Sequence, residues 1–599
     1  MKNKLLWVGL VAATASLAQA AGADDTHLYW GDTHLHTSYS IDAYSTGNYV
    51  IDPDTAFRYA RGLPILDPVS REKMRIERPL DFLVVSDHAE LLQLQIRLEE
   101  EDPDLMATPT GKRLAEMQKQ NRNAVFGQVG QIIQGQGKEM LVDLDSDKVR
   151  GNAWRRQVKM ADDNNVPGKF TAMIGWEWSS APDWSNLHRV IITPADGATA
   201  GKFLPYSSYI SNKPEDLWAF LDRTTRETGA QFVAIPHNSN MSGGKMFDRV
   251  DSEGRPITAE YARERIRWES VMEIAQSKGT SETDPALSPN DEFAGFELRN
   301  KLLPGTPTPA QPGMFARSAL LEGLQFEQSL GVNPYKFGFV GGTDSHTGLS
   351  SQQEYDFKGK LTNQLVTANR PTSRGAFPIW ELSAAGLAGV WATENTRQGI
   401  FDSFRRKEVY GTSGPRIALR VFGGFGFKEA DAKAMDIAAI GYKGGVPMGG
   451  DLAKAPKGQA PSLLIHASRD ELSGNLDRIQ VIKGWVDAKG EQHEKVYDVV
   501  GSGKRKPDAN GHLPEVGNTV DVKTATYTNT IGAAQLAGVW KDPDFDPKLR
   551  AFYYVRVLEI PTPRHSLYDA VALNIDPATT NAPLTIQERA WSSPIWYTP

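Results

Sequence analysis

The sequence predicts an α/β fold, either a barrel or a doubly wound sheet, followed by a β-rich C-terminal region. Three observations carry this expectation. Between residues 28 and 346, short apolar runs alternate with helical or polar stretches, the rhythm of successive βα units. Most of those runs are continuously apolar, as strands buried on both faces are. After about residue 410 helical periodicity fades, and glycine-rich loops separate runs that alternate, such as Ile417, Leu419 and Val421.

Strands are expected at 28–31, 82–86, 171–175, 189–193, 232–235, 271–274 and 337–341. Asp52-Pro53 opens a helix carrying Ala56, Phe57 and Ala60, with proline in the first helical position. Pro214 opens another with Leu217, Trp218 and Leu221 on one face, stopped by Gly229. A third covers 314–330 and ends at Gly331. Residues 91–165 and 241–292 break the rhythm. Each follows a strand end that carries a histidine, where insertions either build a pocket or lid or form solvated excursions. Runs at 416–422, 463–466, 479–486 and 553–560 read as a smaller β-sandwich-like domain. The expected division is therefore 21–410 and 411–599.

Lys2 and Lys4, the apolar stretch 5–18 and the small-residue site Ala18-Gln19-Ala20 predict a secretory signal peptide cleaved after Ala20. The apolar run is too short to span a membrane, and no cysteine follows it to take a lipid anchor. The protein is expected to be secreted or periplasmic, without a membrane anchor. Cleavage removes two lysines and no acid, making the net charge of −7 two units more negative. An acidic chain without basic runs is a poor partner for nucleic acid or an anionic membrane.

The 599 residues include no cysteine and eleven histidines. No disulfide, thiol nucleophile, iron–sulfur cluster, thiolate zinc site or cysteine-derived formylglycine is possible. A metal must be held by histidine, carboxylate or water. The candidates sit at strand ends, where α/β sheets collect functional groups. They are His34-x-His36, Asp87-His88, Glu177, His237 and Asp344-x-His346; His188 precedes its strand instead. In each x-spaced pair, alternate residues of an extended segment project to one side and can grip one ion. Neutral imidazole and carboxylate suit Zn, Mn or Fe.

Taken together these motifs resemble the PHP superfamily, named after polymerase and histidinol phosphatase domains. Its pattern of His-x-His, Asp or His, Asp-His, Glu, His, His and Asp-x-His is matched in order over residues 28–346. The matching residues are His34, His36, Asp42, His88, Glu177, His188, His237, Asp344 and His346. The resemblance implies a distorted (β/α)7 barrel with helical insertions and three divalent ions. His34, His36, Glu177 and Asp344 would hold the first ion. Glu177 would bridge to a second, completed by His188 and His237. Asp42, His88 and His346 would hold the third, although Asp42 also reads as a turn aspartate. Residues 29–37, 236–244, 337–348 and 591–599 are similar to a secreted, domain-of-unknown-function branch of the superfamily.

Paired ions ~3.5–4 Å apart generate hydroxide from a bridging water and neutralise charge on a phosphoryl oxygen. The expected activity is hydrolysis of a small anionic phosphoester, with Glu177, Asp344 and His346 as catalytic residues. Arg189, Lys245 and Arg299 are candidates for gripping the substrate anion. Asp32 and Asp87 are expected to orient neighbouring ligands. Glu273 reads equally as a site residue or a structural acid. Rival readings are a sulfate-ester or phosphonate hydrolase and a non-catalytic metal- or glycan-binding module. Gly411-Thr412-Ser413-Gly414 leads into a strand, so it is a turn rather than a nucleophile elbow.

Overall fold

A computed structural model describes residues 26–599 apart from 134–141, 304, 374–376 and 510. The expected signal peptide lies outside the described residues. Among those described, no helix is long and apolar enough to cross a membrane.

Seven strands carry the N-terminal half: β1 (His27–Leu35), β2 (Phe82–Val85), β3 (Thr171–Trp178), β4 (Arg189–Thr193), β5 (Val233–Pro236), β6 (Val271–Gln276) and β7 (Gly338–Gly341). β2 to β7 are buried along their whole length, in keeping with their unbroken apolar runs. β1, β2 and β3 run parallel, as do β6 and β7. β4 pairs antiparallel with both β3 and β5.

Among the described residues the seven strands do not close a hydrogen-bonded barrel. The ladder runs β1–β2–β3–β4–β5 and stops, and β7 and β6 pair in a separate sheet. A strand has two edges, and both edges of β1 are taken. One pairs with β2, and the other pairs antiparallel with β8 (Leu387–Ala392) along His27–Gly31. Only the end of β1 remains for the β7 side, through a single parallel bridge between Leu35 and Ser345. The sheet is diverted instead through β8 and β9 (Val409–Thr412) into the C-terminal strands, reaching 13 strands.

The C-terminal strands in that sheet include β12 (Leu476–Val486), β13 (Gln492–Gly501), β15 (Arg550–Glu559) and β16 (Arg589–Ser592). A second sheet is built on β10 (Ala418–Gly424), β11 (Ser462–Ser468) and β14 (Gln535–Lys541). Leu419, Val421, Leu463 and Ile465 of the second sheet share one apolar cluster with Ile479, Val481, Val555 and Val557 of the first. That cluster also holds Leu35, Leu83 and Ile174, so hydrophobic burial is continuous across residue 410.

The helices follow local rules. In α1 (Pro53–Ala60) the Asp52 carboxylate caps Thr55 N. α2 (Pro214–Thr228) and α3 (Ala316–Leu330) end at Gly229 and Gly331, both at positive φ, the usual left-handed cap. α2 buries Leu217, Trp218 and Leu221, the face the sequence predicts. Leu221→Ala should cost about 2–5 kcal/mol in denaturant unfolding, because the surrounding shell is closed and leaves a cavity. The described residues of the insertion at 91–165 are largely helical.

Glu559, fully buried on β15, accepts from Ser473 Oγ and Gly474 N through one oxygen, and its other oxygen has no hydrogen-bond partner among the described residues. Burial pushes its pKa up to about 8. Because the folded value lies above the unfolded one, Glu559 favours folding fully below pH ~4 and loses that advantage as pH rises towards 8. Glu559→Gln should therefore gain about 4 kcal/mol on the wild type between pH 5 and 9, measured by paired unfolding curves. A constant difference between the two proteins would refute this.

Candidate metal centre

Every one of the nine candidate ligands reaches one buried cluster. The His34 and His36 Nε2 atoms lie 3.1 Å apart at the end of β1, on the same side, as period-two geometry requires. Glu177 on β3 is central. Its Oε2 is 3.1 Å from His34 Nε2 and 3.0 Å from His36 Nε2. Its Oε1 is 2.5 Å from His188 Nδ1, 3.2 Å from His237 Nε2 and 3.8 Å from His88 Nδ1. Asp344 Oδ1 lies 3.6, 3.4 and 3.3 Å from the Nε2 atoms of His34, His36 and His346. Asp42 Oδ2 is 3.0 Å from His88 Nε2 and 3.2 Å from His346 Nε2. Asp42 thus belongs to the cluster although it begins a short helix, Ile41–Ser45.

His188 breaks the strand-end rule in sequence but keeps it in space. Because β4 runs antiparallel to β3 and β5, its start lies beside the ends of its neighbours. Alternation along β4 removes Arg189 from the anion-gripping role. The residue after His188 points to the opposite face, where Arg189 pairs with Glu269 at 3.0 Å and bonds the Leu187 carbonyl. Lys245 likewise pairs with Asp183 at the surface, 2.8 Å away. Arg299 is buried over the Phe377 ring, which the Lys360 ammonium also faces.

Asp32 and Asp87 act on backbone rather than on imidazole rings. Asp32 accepts from the amides of His34 and Thr343 and the hydroxyls of Thr343 and Ser350, tying the two x-spaced segments together. Asp87 accepts from Thr37 N and Oγ1, next to His36. Glu273 takes the site role, with Oε2 3.0 Å from His34 Nδ1. Such outer partners set ring orientation and tautomer.

Two lysines were not anticipated. Lys278 Nζ lies 2.6 Å from Asp344 Oδ2, which also accepts from Gln276 Nε2, and Lys360 Nζ lies 3.0 Å from Oδ1. Lys278 lies two residues past β6, where the strand-end rule could have found it. Lys360 comes from an irregular loop with no periodicity to announce it.

The electrostatics fit bound cations. Burial alone would raise the carboxyl groups. Against it, His88, His237 and His188 hold Glu177 well below its usual range, Lys278, Lys360 and His34 do so for Asp344, and His346, His88 and His36 for Asp42. Burial lowers His188 to about 4, and His237 and His346 to about 3, against the pull of the acids beside them. Burial would also lower His34, His36 and His88. Asp344 and Glu273 raise the first, while Asp42 leads in raising the other two, so the acids recruit protons where cations could sit. His237 Nδ1 makes no hydrogen bond among the described residues, and its Nε2 faces the Glu177 carboxylate 3.2 Å away. Buried polar atoms seldom go unpaired without cause. The sets His34–Glu177–His237, His34–His36–Asp344 and His36–His88–Glu177 each bring ligand atoms within 4.8 Å of one another.

A family described as "Protein of unknown function (DUF3604)" matches residues 23–599. The chain belongs to the DUF3604 family. No curated protein matches it. Among solved structures, this DUF3604 chain is similar to a two-domain protein from Bacteroides vulgatus described as containing a predicted PHP-like metal-dependent phosphoesterase. The two are 10% identical with a TM-score of 0.28, over 87% of this chain and 96% of the other.

Proposed function

We propose that this chain is an exported metal-dependent hydrolase of PHP type that cleaves phosphoesters, mono- or diesters. One observation carries the reading: nine histidine and carboxylate side chains from separate strand ends and loops converge on a single buried cluster centred on Glu177. Bound cations would account for so many imidazoles converging beside ionised acids. Divalent ions there supply Lewis acidity and a nucleophilic water at neutral pH.

The protein's own groups have separable tasks. His34, Glu177, His237 and Asp344 form the floor, with side chains no more than 1% exposed. Asp42, His88, His188 and His346 form the rim, 6–18% exposed, and a substrate reaches the centre over them. Lys278 and Gln276 hold Asp344 Oδ2, while Oδ1 faces Lys360 and the imidazoles. Asp32 and Asp87 keep the ligand-bearing segments in place by bonds to their backbone.

Protein loaded in turn with Zn²⁺, Mn²⁺ and Fe²⁺ should hydrolyse an aryl phosphate or a phosphodiester, and a chelator should abolish this. Faster turnover of aryl sulfates or phosphonates would move the substrate class. A silent panel, with metal bound, would leave a non-catalytic metal-binding module.

A further inference from the structure

The face beside the rim of the metal centre carries an unassigned depression. It has a volume of about 480 Å³, within the range of ligand sites. Its floor and lips are apolar, with Ile51 and Ile65 buried but Val50 44% and Leu66 59% exposed. Three cations, Arg58, Arg71 and Lys73, line it, and no acid does. None of the three is in an ion pair among the described residues, whereas most arginines of the metal-bearing half find a carboxylate. In a chain of net charge −7, a pocket with three cations and no acid is a local exception.

The elements that build it are simple. Arg58 stands on the outer face of α1. Ile65–Leu66 and Lys73–Met74 form a short two-stranded hairpin whose tip presents Val69, 47% exposed. Leu63, just before the hairpin, is 39% exposed. Four of the large exposed hydrophobic residues thus fall between 50 and 69. Single exposed apolar residues need no explanation, but a cluster around a pocket does. The depression is also tied to the centre. Ile51 O accepts from Ser38 N, two residues after His36, and Ile51 packs on Gly348, two residues after His346.

We infer that this depression binds an anionic amphiphile, its hydrocarbon lying on Ile51, Ile65 and Leu66 and its charged head among Arg58, Arg71 and Lys73. Burial of the hydrocarbon favours binding in proportion to the apolar area covered, and the head pairs with cations that have no ion pair among the described residues. The inference is independent of the catalytic reading.

Dodecyl phosphate below its micellar concentration, titrated calorimetrically into chelator-treated full-length protein, should bind. Dodecyl maltoside and inorganic phosphate, which each carry only half of the recognised chemistry, should bind at least about tenfold more weakly. Arg71→Glu/Lys73→Glu and Leu66→Ser should each weaken dodecyl phosphate about tenfold or more. Both changes are at exposed positions, and an unchanged melting curve would confirm folding. Phosphatidylglycerol and phosphatidylcholine vesicles identify the source of the amphiphile. Co-sedimentation with the anionic vesicles alone would mean a bilayer, and monomer binding alone would mean a free amphiphile. Failure to bind dodecyl phosphate and anionic vesicles, equal affinity for inorganic phosphate, or indifference to both variants would overturn the inference.

Discussion

Glu177→Gln is expected to lower turnover by about 10²–10³-fold or more, with loss of bound metal and little change in fold. The Glu177 carboxylate lies within 3.8 Å of a nitrogen from each of five histidines, more than any other group in the cluster. Glutamine keeps the volume and one acceptor oxygen but removes the negative charge. Five imidazoles would then surround a neutral amide, and the attraction that draws cations to the floor would fall sharply. Elemental analysis of the purified variant, beside its turnover, checks this. Full metal content with wild-type turnover would sink the assignment of Glu177 as the central ligand.

Asp344→Ala should be the most damaging change to stability as well as to activity. The backbone there is left-handed, at φ 50, and its carboxylate neutralises two buried ammonium groups, Lys278 and Lys360. Removing one partner of a buried pair typically costs about 3–5 kcal/mol, because the remaining charge is stranded. Alanine is also poorly suited to positive φ, whereas asparagine tolerates it. Asp344→Asn should therefore fold better than Asp344→Ala while losing metal and turnover alike. Adding Lys278→Met to Asp344→Ala should restore part of the lost stability, since it removes one stranded charge. If the double variant is no more stable than the single one in denaturant unfolding, the buried-charge account fails. If Asp344→Ala binds metal and turns over at the wild-type rate, the proposed mechanism fails.

Much of the fold was legible because its signals are local. The seven N-terminal strands lie where the continuous apolar runs placed them, within a few residues, and Asp52, Gly229 and Gly331 act as caps by short-range chemistry. The ligand candidates were legible because histidine and acid at strand ends are visible without knowing which strands neighbour one another. Strand direction was not legible. A run such as 189–193 reads the same whether it pairs parallel or antiparallel, so why His188, at a strand start, stands among the strand-end ligands was not legible, although the family pattern had named it. The open ladder was equally hidden. That β8, which begins 360 residues after β1, would occupy its second edge depends on competition between distant segments, not on the pattern of either.

By itself, then, the sequence determined which residue types could hold an ion, that no thiol could take part, and where the strands that carry the candidates begin and end. These follow from side-chain chemistry and from periodicities of two and 3.6, which act over a few residues. Only the tertiary structure decided that Asp42 and His188 join the cluster, that Lys278 and Lys360 brace Asp344, and that Arg189 faces away. Each of these depends on which face of one element meets which face of another. That choice is made by burial over the whole chain, when edges are paired and charges are matched across hundreds of residues.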